Sequence, residues 1–466
     1  DGGDSFRIES AEKADRGTEI HITLKAEMDE YTQAHKLRQV IKKHSDYVGF
    51  PIYIDGEQAN EQESLWRKKP SDVEDEAYQK FYQMMTFDFM PPLKTIHFST
   101  DMPVNLRSLL FIPSKREANP MALRKEPGVK LYSNNVLIKE YCTDLLPDWL
   151  AFVDGVVDSE DLPLNVSRET VHNNRLMRQL AKVVRKRVLR EIRKMSEKEE
   201  ETFEKFWAEY GRILKEGFAV DPAAKDELEP LLHYISSKSD GKLITLKTYV
   251  ERMPEDQASI YYVLGDDISS VKNSPHLDPF KAKDWEVLYF VEPIDAFMVS
   301  QWTETQGKPL VNVAGAEIEL PEDEEEDSAE ESTLSEAAIN LFIGRCVKLL
   351  GERVTEVKLS KVLKDSPVRL IAPEEGAAPS GYDRIQRLMN QDYEVPKRIM
   401  EVNKNHPIIV NLSEKLEAAG DDAASEIVDL TIEQLYESAL IQEGLHPNPA
   451  AMIPRIQKLL EIATKA

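Results

Sequence analysis

The residues with the clearest chemical potential in this sequence lie in one corner, residues 165–169, which reads Asn-Val-Ser-Arg-Glu. Asn165 and Ser167 are residue types that cap the N-terminus of a helix, where backbone N–H groups lack partners. An arginine in the first turn, here Arg168, opposes the helix dipole unless an anion lies beside it. This position suggests a phosphate contact, but spacing alone slightly favours a salt bridge to an acid of the preceding turn, which holds Asp158, Glu160 and Asp161. Both interpretations stay open at this point.

A long helix must position this corner. Residues 175–198 place apolar side chains on one face, and nine lysines or arginines lie between Arg175 and Lys194. The helical pattern continues from Glu199 to Lys215 with an aromatic cluster that we interpret as core: Phe203, Phe206, Trp207 and Tyr210. The basic helix could suggest nucleic-acid binding. The net charge of −25 and the lack of interleaved aromatic residues in that helix disfavour it.

Other catalytic signatures are absent from the sequence. It contains no phosphate-binding Gly-rich loop, no histidine pair at metal-binding spacing and no Gly-x-Ser-x-Gly elbow. Its only cysteines, Cys142 and Cys346, are too few for a disulfide framework or a cysteine zinc site. We expect no metal site. Motif chemistry alone would not identify an enzyme.

Length and composition indicate a multidomain globular chain. The 466 residues suggest about three domains, and 41% hydrophobic with 31% charged residues is a globular composition. No run approaches the ~20 apolar residues that cross a bilayer, so we expect no membrane partner. The sequence starts with Asp1 rather than methionine. We expect a fragment or a processed product.

Acidic residues concentrate between Glu317 and Glu336, which hold eleven acids, with no lysine or arginine between Lys308 and Arg345. Like charges repel and resist packing, so we predict a solvated linker. A metal-binding acidic loop is the alternative. The segment lacks the glycine and the alternating spacing of a calcium loop.

Periodicity divides the chain into six parts. Residues 1–54 should form strand, strand, helix and strand (Ser5–Ile8, Glu19–Leu24, Glu27–Ser45 and Phe50–Ile54), too little for a core of their own. The other parts are an α/β unit at 64–198, a helical connector at 199–234, a smaller α/β unit with a parallel sheet at 235–316, an acidic linker at 317–332 and a C-terminal domain at 333–466. The last ends in an apolar helical hairpin, Glu426–Gln442 and Pro449–Lys465, which predicts a four-helix bundle with a second copy.

Several of these segments resemble one family. Residues 156–169, together with 65–72, 287–295 and 403–407, are similar to signature stretches of the heat-shock protein 90 chaperones. The resemblance covers essentially the whole chain. The absence of a long charged segment before Leu65 is similar to the bacterial or organellar branch, which implies a bacterial cytoplasmic location or an organelle.

The resemblance implies a fold class, α/β (α+β), and its domains. Residues 1–54 would be the remnant of a GHKL-type ATPase domain. The middle domain would comprise two αβα units joined by a helical segment, the first like domain 2 of ribosomal protein S5. The C-terminal mixed α/β domain would end in a helical dimerisation hairpin.

The resemblance also implies an ATP-driven, dimeric chaperone. Arg168 would contact the γ-phosphate, Thr18 would border the adenine, and His172 replaces a glutamine that many members carry. ATP and Mg²⁺ would bind the full-length protein, whereas residues 1–466 lack the other nucleotide-binding motifs and should be inactive alone. A nucleotide-independent holdase or scaffold is the alternative function.

The implied partners are a second copy, unfolded or partly folded client proteins and co-chaperones of the heat-shock protein 70 system. Regions similar to client-binding surfaces contain Trp66, Phe297, Leu388 and Met389, and also Trp302. The implied dimer interface contains Leu435, Leu440, Ile453, Ile456 and Leu460.

Overall fold

The computed structural model of the protein describes residues 8–116, 126–162, 175–315, 334–373, 381–389, 393–419 and 426–465. The predicted acidic linker, 317–332, lies wholly outside these residues. The prediction of mixed α/β units is confirmed.

The N-terminal segment differs from its prediction. Residues 8–25 contain no strand, and Ile20 and Ile22 are each 76% exposed. The predicted strand Glu19–Leu24 is therefore wrong, because strand backbone needs a neighbour to accept its hydrogen bonds, and no described residue pairs with this segment. A 3₁₀ turn, Ala26–Thr32, and helix α1, Ala34–His44, replace the single predicted helix. The last predicted strand shrinks to β1, Tyr53–Ile54, which pairs with β2, Glu57–Gln58.

The large unit is a five-stranded sheet flanked by helices. Helix α2 spans Asp75–Thr86, and the strands are β3, Lys94–Thr100; β4, Leu106–Ile112; β5, Val129–Ser133; β6, Val136–Cys142; and β7, Asp154–Asp158. Their order is β3-β4-β7-β5-β6, antiparallel except for the parallel β5–β7 pair. Strands β5 and β6 form a hairpin. Asn134 and Asn135 both have positive φ, as a tight two-residue turn requires.

Two long helices follow the large sheet. Helix α3, Arg175–Lys198, buries its predicted apolar face, including Leu180, Val184 and Val188. Helix α4, Glu200–Val220, buries the aromatic cluster that was predicted to be core. A short helix, α5, Lys225–Leu228, completes the connector. A large hydrophobic core thereby continues from the large sheet through the connector into the small unit.

The small unit is built on a six-stranded mixed sheet. Its elements are β8, His233–Ser236; β9, Ile244–Thr245; α6, Leu246–Arg252; β10, Ile260–Leu264; α7, Ile268–Lys272; α8, Asp278–Ala282; β11, Leu288–Phe290; α9, Pro293–Val299; β12, Glu304–Thr305; and β13, Lys308–Asn312. The prediction of a parallel sheet is correct only for β10, which pairs in parallel with β11 and β13. The other three pairs are antiparallel: β8–β11 and the consecutive strands β8–β9 and β12–β13, which short connections join.

The C-terminal domain packs helices against a three-stranded sheet of order β14-β16-β15. Its elements are α10, Glu336–Leu350; β14, Val354–Leu359; β15, Val368–Ile371; α11, Tyr382–Met389; β16, Arg398–Val402; α12, Pro407–Ala419; α13, Glu426–Gln442; and α14, Ile453–Lys465. The predicted terminal helix pair is confirmed. A 3₁₀ turn, Pro449–Met452, precedes its second member.

A buried ion pair joins α4 to the small unit. The Nζ atom of Lys215 lies 3.0 Å from Oε1 of Glu292 and 3.0 Å from Oδ1 of Asp295, at the start of α9. Lys215 and Asp295 are both buried. Burial raises the pKa of Asp295 although Lys215 acts to lower it, so this carboxylate depends on its lysine to remain charged.

Replacing Lys215 should therefore destabilise this part of the protein strongly. Lys215→Ala leaves two carboxylates without their cation, and breaking a buried pair in this way costs about 3–5 kcal/mol. The measurement is urea unfolding followed by tryptophan fluorescence, since all five tryptophans lie between Trp66 and Trp302.

The matched control is Arg212→Ala on the same helix. Arg212 forms an exposed pair with Glu216 and should change stability by less than about 1 kcal/mol. Equal losses in the two variants would contradict the proposed importance of the buried pair.

Candidate functional site

The end of β7 forms the base of the predicted phosphate-contact corner. Arg168 and His172 themselves lie outside the residues that the structure describes, between Leu162 and Arg175. What the structure shows is how residues 158–162, which lead into the corner, are fixed.

Asp158 is the centre of this base. Its side chain is fully buried, and its Oδ2 atom accepts hydrogen bonds from Nε1 of Trp66, at 3.0 Å, and Nε of Arg67, at 2.8 Å. The Nη1 atom of Arg67 also donates to Oε1 of Glu160, at 2.9 Å. Burial acts to lower the pKa of Arg67, but the two acids outweigh it, so the pKa is raised and the guanidinium stays charged. One arginine thus fixes both ends of the turn.

The neighbouring residues have partners too. The backbone N–H of Asn105 donates to Oδ2 of Asp161, at 2.7 Å, and the hydroxyl of Ser159 donates to the carbonyl of Asn105, at 2.7 Å. Ser133 donates to the carbonyl of Leu162, at 2.7 Å. All three acids that could pair with Arg168 have partners among the described residues. Arg168 lies outside those residues, so both the phosphate contact and the salt bridge stay predictions.

Trp66 has a structural position here. It is 1% exposed, and its ring lies 4.7 Å from that of Tyr47 and 4.9 Å from that of Tyr132, measured between centroids. This burial contradicts the expectation that Trp66 is an exposed client-binding residue. Its indole is needed to donate to Asp158. Trp302 is also buried, and its ring lies 4.7 Å from that of Phe218, measured between centroids. The expectation that Trp302 is an exposed client-binding residue is therefore contradicted too.

The other predicted client residues are brought together on the surface. Phe297 lies on α9, which contacts α11, and α11 carries Leu388 and Met389. Phe297 is 39% exposed, Leu388 is 52% exposed and Met389 is 76% exposed. The two helices meet closely because Gly381 precedes α11: a Cβ atom at Gly381 would lie 2.7 Å from the carbonyl oxygen of Ala296. We call Phe297, Leu388 and Met389 the α9–α11 apolar surface.

Charged contacts hold α11 in this place. Arg384 donates to Oδ1 of Asp266, at 2.9 Å, and to the carbonyl of Leu264, at 3.1 Å. Arg387 donates to Oδ2 of the same aspartate, at 3.1 Å. Burial lowers the pKa of Arg384, and Asp266 opposes this effect. The sequence analysis missed Asp266 because its partners are more than a hundred residues away along the chain.

A second charged contact links the small unit to the C-terminal domain. His276 is buried and forms a hydrogen bond with Glu443. Burial acts to raise the pKa of Glu443, but His276 and Arg384 lower it below its ordinary value, so this carboxylate stays ionised. A cleft of about 450 Å³ lies beside this contact and is lined by residues that include Trp302, Arg384 and Glu443.

The predicted dimer residues divide into two groups. Leu435 and Leu440, on α13, are buried in the core of their own domain with residues such as Phe342. Both side chains are already buried by residues of the same chain, which contradicts their assignment to an interface between two copies. Ile453, Ile456 and Leu460 lie on one face of α14 and are exposed by 52%, 39% and 60%.

The remaining site predictions concern nucleotide and metal. Thr18 is exposed in the irregular N-terminal segment, and its adenine contact stays a prediction. Among the residues described, no three His, Cys, Asp or Glu side chains converge as they would around a metal ion. No helix in the same part of the chain is long and apolar enough to cross a bilayer.

Comparison with known proteins identifies the family. The family model described as Hsp90 protein matches residues 54–466. The chaperone protein HtpG of Desulfitobacterium hafniense (strain Y51) is 38% identical over 467 residues, covering 100% of this chain and 75% of the relative. The proteins of the same name from Chlorobaculum tepidum and Geobacter sulfurreducens are 38% and 36% identical, covering 100% and 95% of this chain and 74% and 72% of those relatives. The chain therefore belongs to the heat-shock protein 90 family.

Proposed function

We propose that the protein is an ATP-dependent, dimeric molecular chaperone that binds and remodels unfolded or partly folded client proteins. Membership of the family and the relatives' name support the chaperone role. The observation that supports the ATP-dependent part is the buried Asp158 network, because it fixes residues 158–162, which lead into the predicted corner.

In this proposal Arg168 contacts the γ-phosphate of ATP held by a nucleotide-binding domain. ATP with Mg²⁺ supplies the phosphoryl group for hydrolysis. A guanidinium held at that position stabilises negative charge that develops during phosphoryl transfer. Asp158 and Arg67 are positioning residues: they fix residues 158–162 and do not touch the nucleotide.

Loss of the arginine should reduce ATP hydrolysis. Arg168→Ala, in protein that carries its nucleotide-binding domain, should lower kcat by about a hundredfold or more, because the stabilisation acts on the transition state. Steady-state phosphate release measures this effect. Arg212→Ala, which removes an exposed arginine of α4, is the control and should hydrolyse ATP at the parent rate. A parent-like rate for Arg168→Ala would reject the phosphate contact.

We propose that α14 supplies the dimer interface. Its apolar face is exposed in one chain, and a second copy would bury it as in a helical bundle. Leu435 and Leu440 would support this face from the domain core without contacting the second copy.

Charges on this face should therefore separate the protomers. Ile456→Asp with Leu460→Asp should weaken dimerisation by about a hundredfold or more, because a carboxylate buried in an apolar contact lacks partners. Sedimentation velocity over a range of concentrations measures the change. The control Lys458→Asp adds an acid at an exposed position on the opposite face of the same helix. Dimers that survive the double substitution would remove α14 from the interface.

We propose that clients bind the α9–α11 apolar surface. Covering exposed apolar side chains with an unfolded chain is energetically favourable, because it removes apolar surface from water. Methionine is flexible and can adapt to varied partners. The contacts from Asp266 to Arg384 and Arg387 hold α11 so that Leu388 and Met389 face outward.

Truncating these side chains should weaken client binding. Leu388→Ser with Met389→Ser should raise the Kd for a fluorescently labelled, reduced and unfolded polypeptide by about tenfold, since each exposed apolar side chain contributes up to roughly 1.5–3 kcal/mol when covered. Gln386→Ser on the same helix is the control. Unchanged affinity in the double variant would place the client elsewhere.

The alternative, a nucleotide-independent holdase, differs in one respect. A holdase would suppress aggregation of an unfolded protein equally with and without ATP. The proposed machine would change its client affinity with nucleotide, and Arg168→Ala would abolish that change.

A further inference from the structure

Residues 34–62 form a small folded segment ahead of the large unit, which we call the N-terminal lobe. It contains α1 and the β1–β2 pair. The buried side chain of Asn60 holds its loop: the amide oxygen accepts from the N–H of Ile52, at 2.8 Å, and the amide nitrogen donates to the carbonyls of Val48, at 3.1 Å, and Phe50, at 3.0 Å. Three backbone groups converge on one side chain, so the loop of the lobe has a fixed shape.

One tyrosine of the lobe packs against the large unit. The ring of Tyr47 lies 4.7 Å from that of Trp66 and 6.2 Å from that of Tyr132, measured between centroids, and both pairs are edge to face. This arrangement of aromatic rings is favourable beyond the area that it buries. The apolar cluster that these rings join also contains Phe111, and among its described members Tyr47 alone precedes Leu65. Tyr47 is therefore the contact of the lobe with this cluster.

Both rings beside Tyr47 belong to residues that hold the end of β7. Trp66 donates its indole N–H to Asp158. Tyr132, on β5, lies opposite Asp158 in the parallel pair, and its carbonyl accepts from the N–H of Ser159, at 3.1 Å. A change in the packing of Tyr47 can thus reach the end of β7 by two routes, one through a side chain and one through the sheet.

An ion pair fixes the lobe to the same hairpin. The Nζ atom of Lys43, in the last turn of α1, lies 2.7 Å from Oε2 of Glu140 on β6, which pairs with β5. This hydrogen-bonded pair raises the pKa of Lys43 and lowers that of Glu140, so both groups stay charged at neutral pH. A ring contact alone would leave the lobe free to pivot about Tyr47. With the ion pair, the lobe has two points of attachment, which define its orientation.

We propose that Tyr47 and the Lys43–Glu140 pair are positioning residues, which place the end of β7 according to how the N-terminal lobe is docked. They act through the neighbours of Tyr47 and touch no nucleotide. This inference rests on the proposed function, in which residues 158–162 lead to the arginine that contacts ATP. The lobe includes residues that the resemblance assigns to the ATP-binding domain. Docking would therefore make hydrolysis depend on the arrangement of that domain.

Removing the ring tests the positioning role. In protein that carries its nucleotide-binding domain, Tyr47→Leu should lower kcat for ATP hydrolysis by about tenfold, because a small misplacement of a catalytic group costs up to roughly a hundredfold. The KM for ATP should change by less than about twofold, since the substitution leaves the ATP-binding groups in place. Steady-state phosphate release at varied ATP concentration measures both. The control Tyr47→Phe keeps the ring and should match the parent; a parent-like kcat for Tyr47→Leu would overturn the proposal.

Exchanging the charges of the ion pair tests the second contact. Lys43→Glu places two carboxylates together and should lower kcat by about two- to fivefold, the range of a partly exposed pair. Adding Glu140→Lys restores an attractive pair in the reverse direction and should recover the parent rate. If the doubly substituted protein stays as slow as the single variant, the ion pair has no positioning role.

A spectroscopic signal separates positioning from a general loss of stability. Labelling with 5-fluorotryptophan gives one ¹⁹F signal for each of the five tryptophans, and the signal that disappears in Trp66→Phe is that of Trp66. In the proposal the ion pair reaches Trp66 through Tyr47. Lys43→Glu should therefore shift the Trp66 signal, and adding Glu140→Lys should return it. A Trp66 signal that Lys43→Glu leaves unmoved would contradict the proposed route.

The failure of this proposal is distinguishable from the failure of the function on which it rests. A parent-like rate for Arg168→Ala rejects the phosphate contact. A slow Arg168→Ala beside a parent-like Tyr47→Leu rejects the positioning role alone.

Discussion

The buried ion pairs of Lys215 with Asp295 and Glu292 fix α9 against α4, and the α9–α11 apolar surface depends on this packing. They lie between α4, which carries the aromatic core of the connector, and the first turn of α9. Ala296 and Phe297 follow directly on α9, and Gly381 packs against Ala296. The position of α11, and with it that of Leu388 and Met389, is thus linked to a buried charge pair whose lysine lies more than 150 residues earlier in the chain and whose carboxylates lie about 90 residues earlier. Apolar packing alone would hold these helices together but would permit several relative angles. The geometry of an ammonium between two carboxylates permits far fewer.

Asp158 has a similar structural role in the large unit. It lies at the end of β7, and its partners Trp66 and Arg67 come from a turn about ninety residues earlier. Gly155 in the same strand allows β7 to approach β4, since a Cβ atom there would lie 2.3 Å from the carbonyl oxygen of Leu109. The strand that leads toward Arg168 therefore has its position and its final side chain fixed by buried contacts. The proposed phosphate contact of Arg168 would depend on such a support, because its effect requires correct positioning.

The sequence predicted the bounds of individual helices better than it predicted which residues contact one another in the fold. Helices α3 and α13 were found at their predicted bounds, because their side-chain periodicity is set locally. The segment Glu19–Leu24 has an equally clear alternation and forms no strand, because alternation describes a face and says nothing about a neighbour. Trp66, Leu435 and Leu440 were wrongly placed on surfaces because the sequence does not show which residues an apolar side chain contacts. An apolar residue looks alike in a sequence whether its partner is a client, a second copy or the core of its own domain. Asp266, Asp158 and Glu443 were not recognised as organising residues, since their partners are distant in sequence and ordinary in type.

Asp266 also has a consequence for which substitutions this surface can tolerate. The carboxylate of Asp266 pairs with both Arg384 and Arg387. Substituting one arginine therefore removes one ion pair, whereas substituting the aspartate removes both. If either arginine is lost, Asp266 keeps a cation and α11 keeps an anchor. If the aspartate is lost, two guanidinium groups lose their counter-ion together, and one of them is largely withdrawn from water. Substitution of one arginine on α11 should therefore disturb the contact less than substitution of Asp266 on the small unit. A shared anion of this kind makes Asp266 the least replaceable of the three residues.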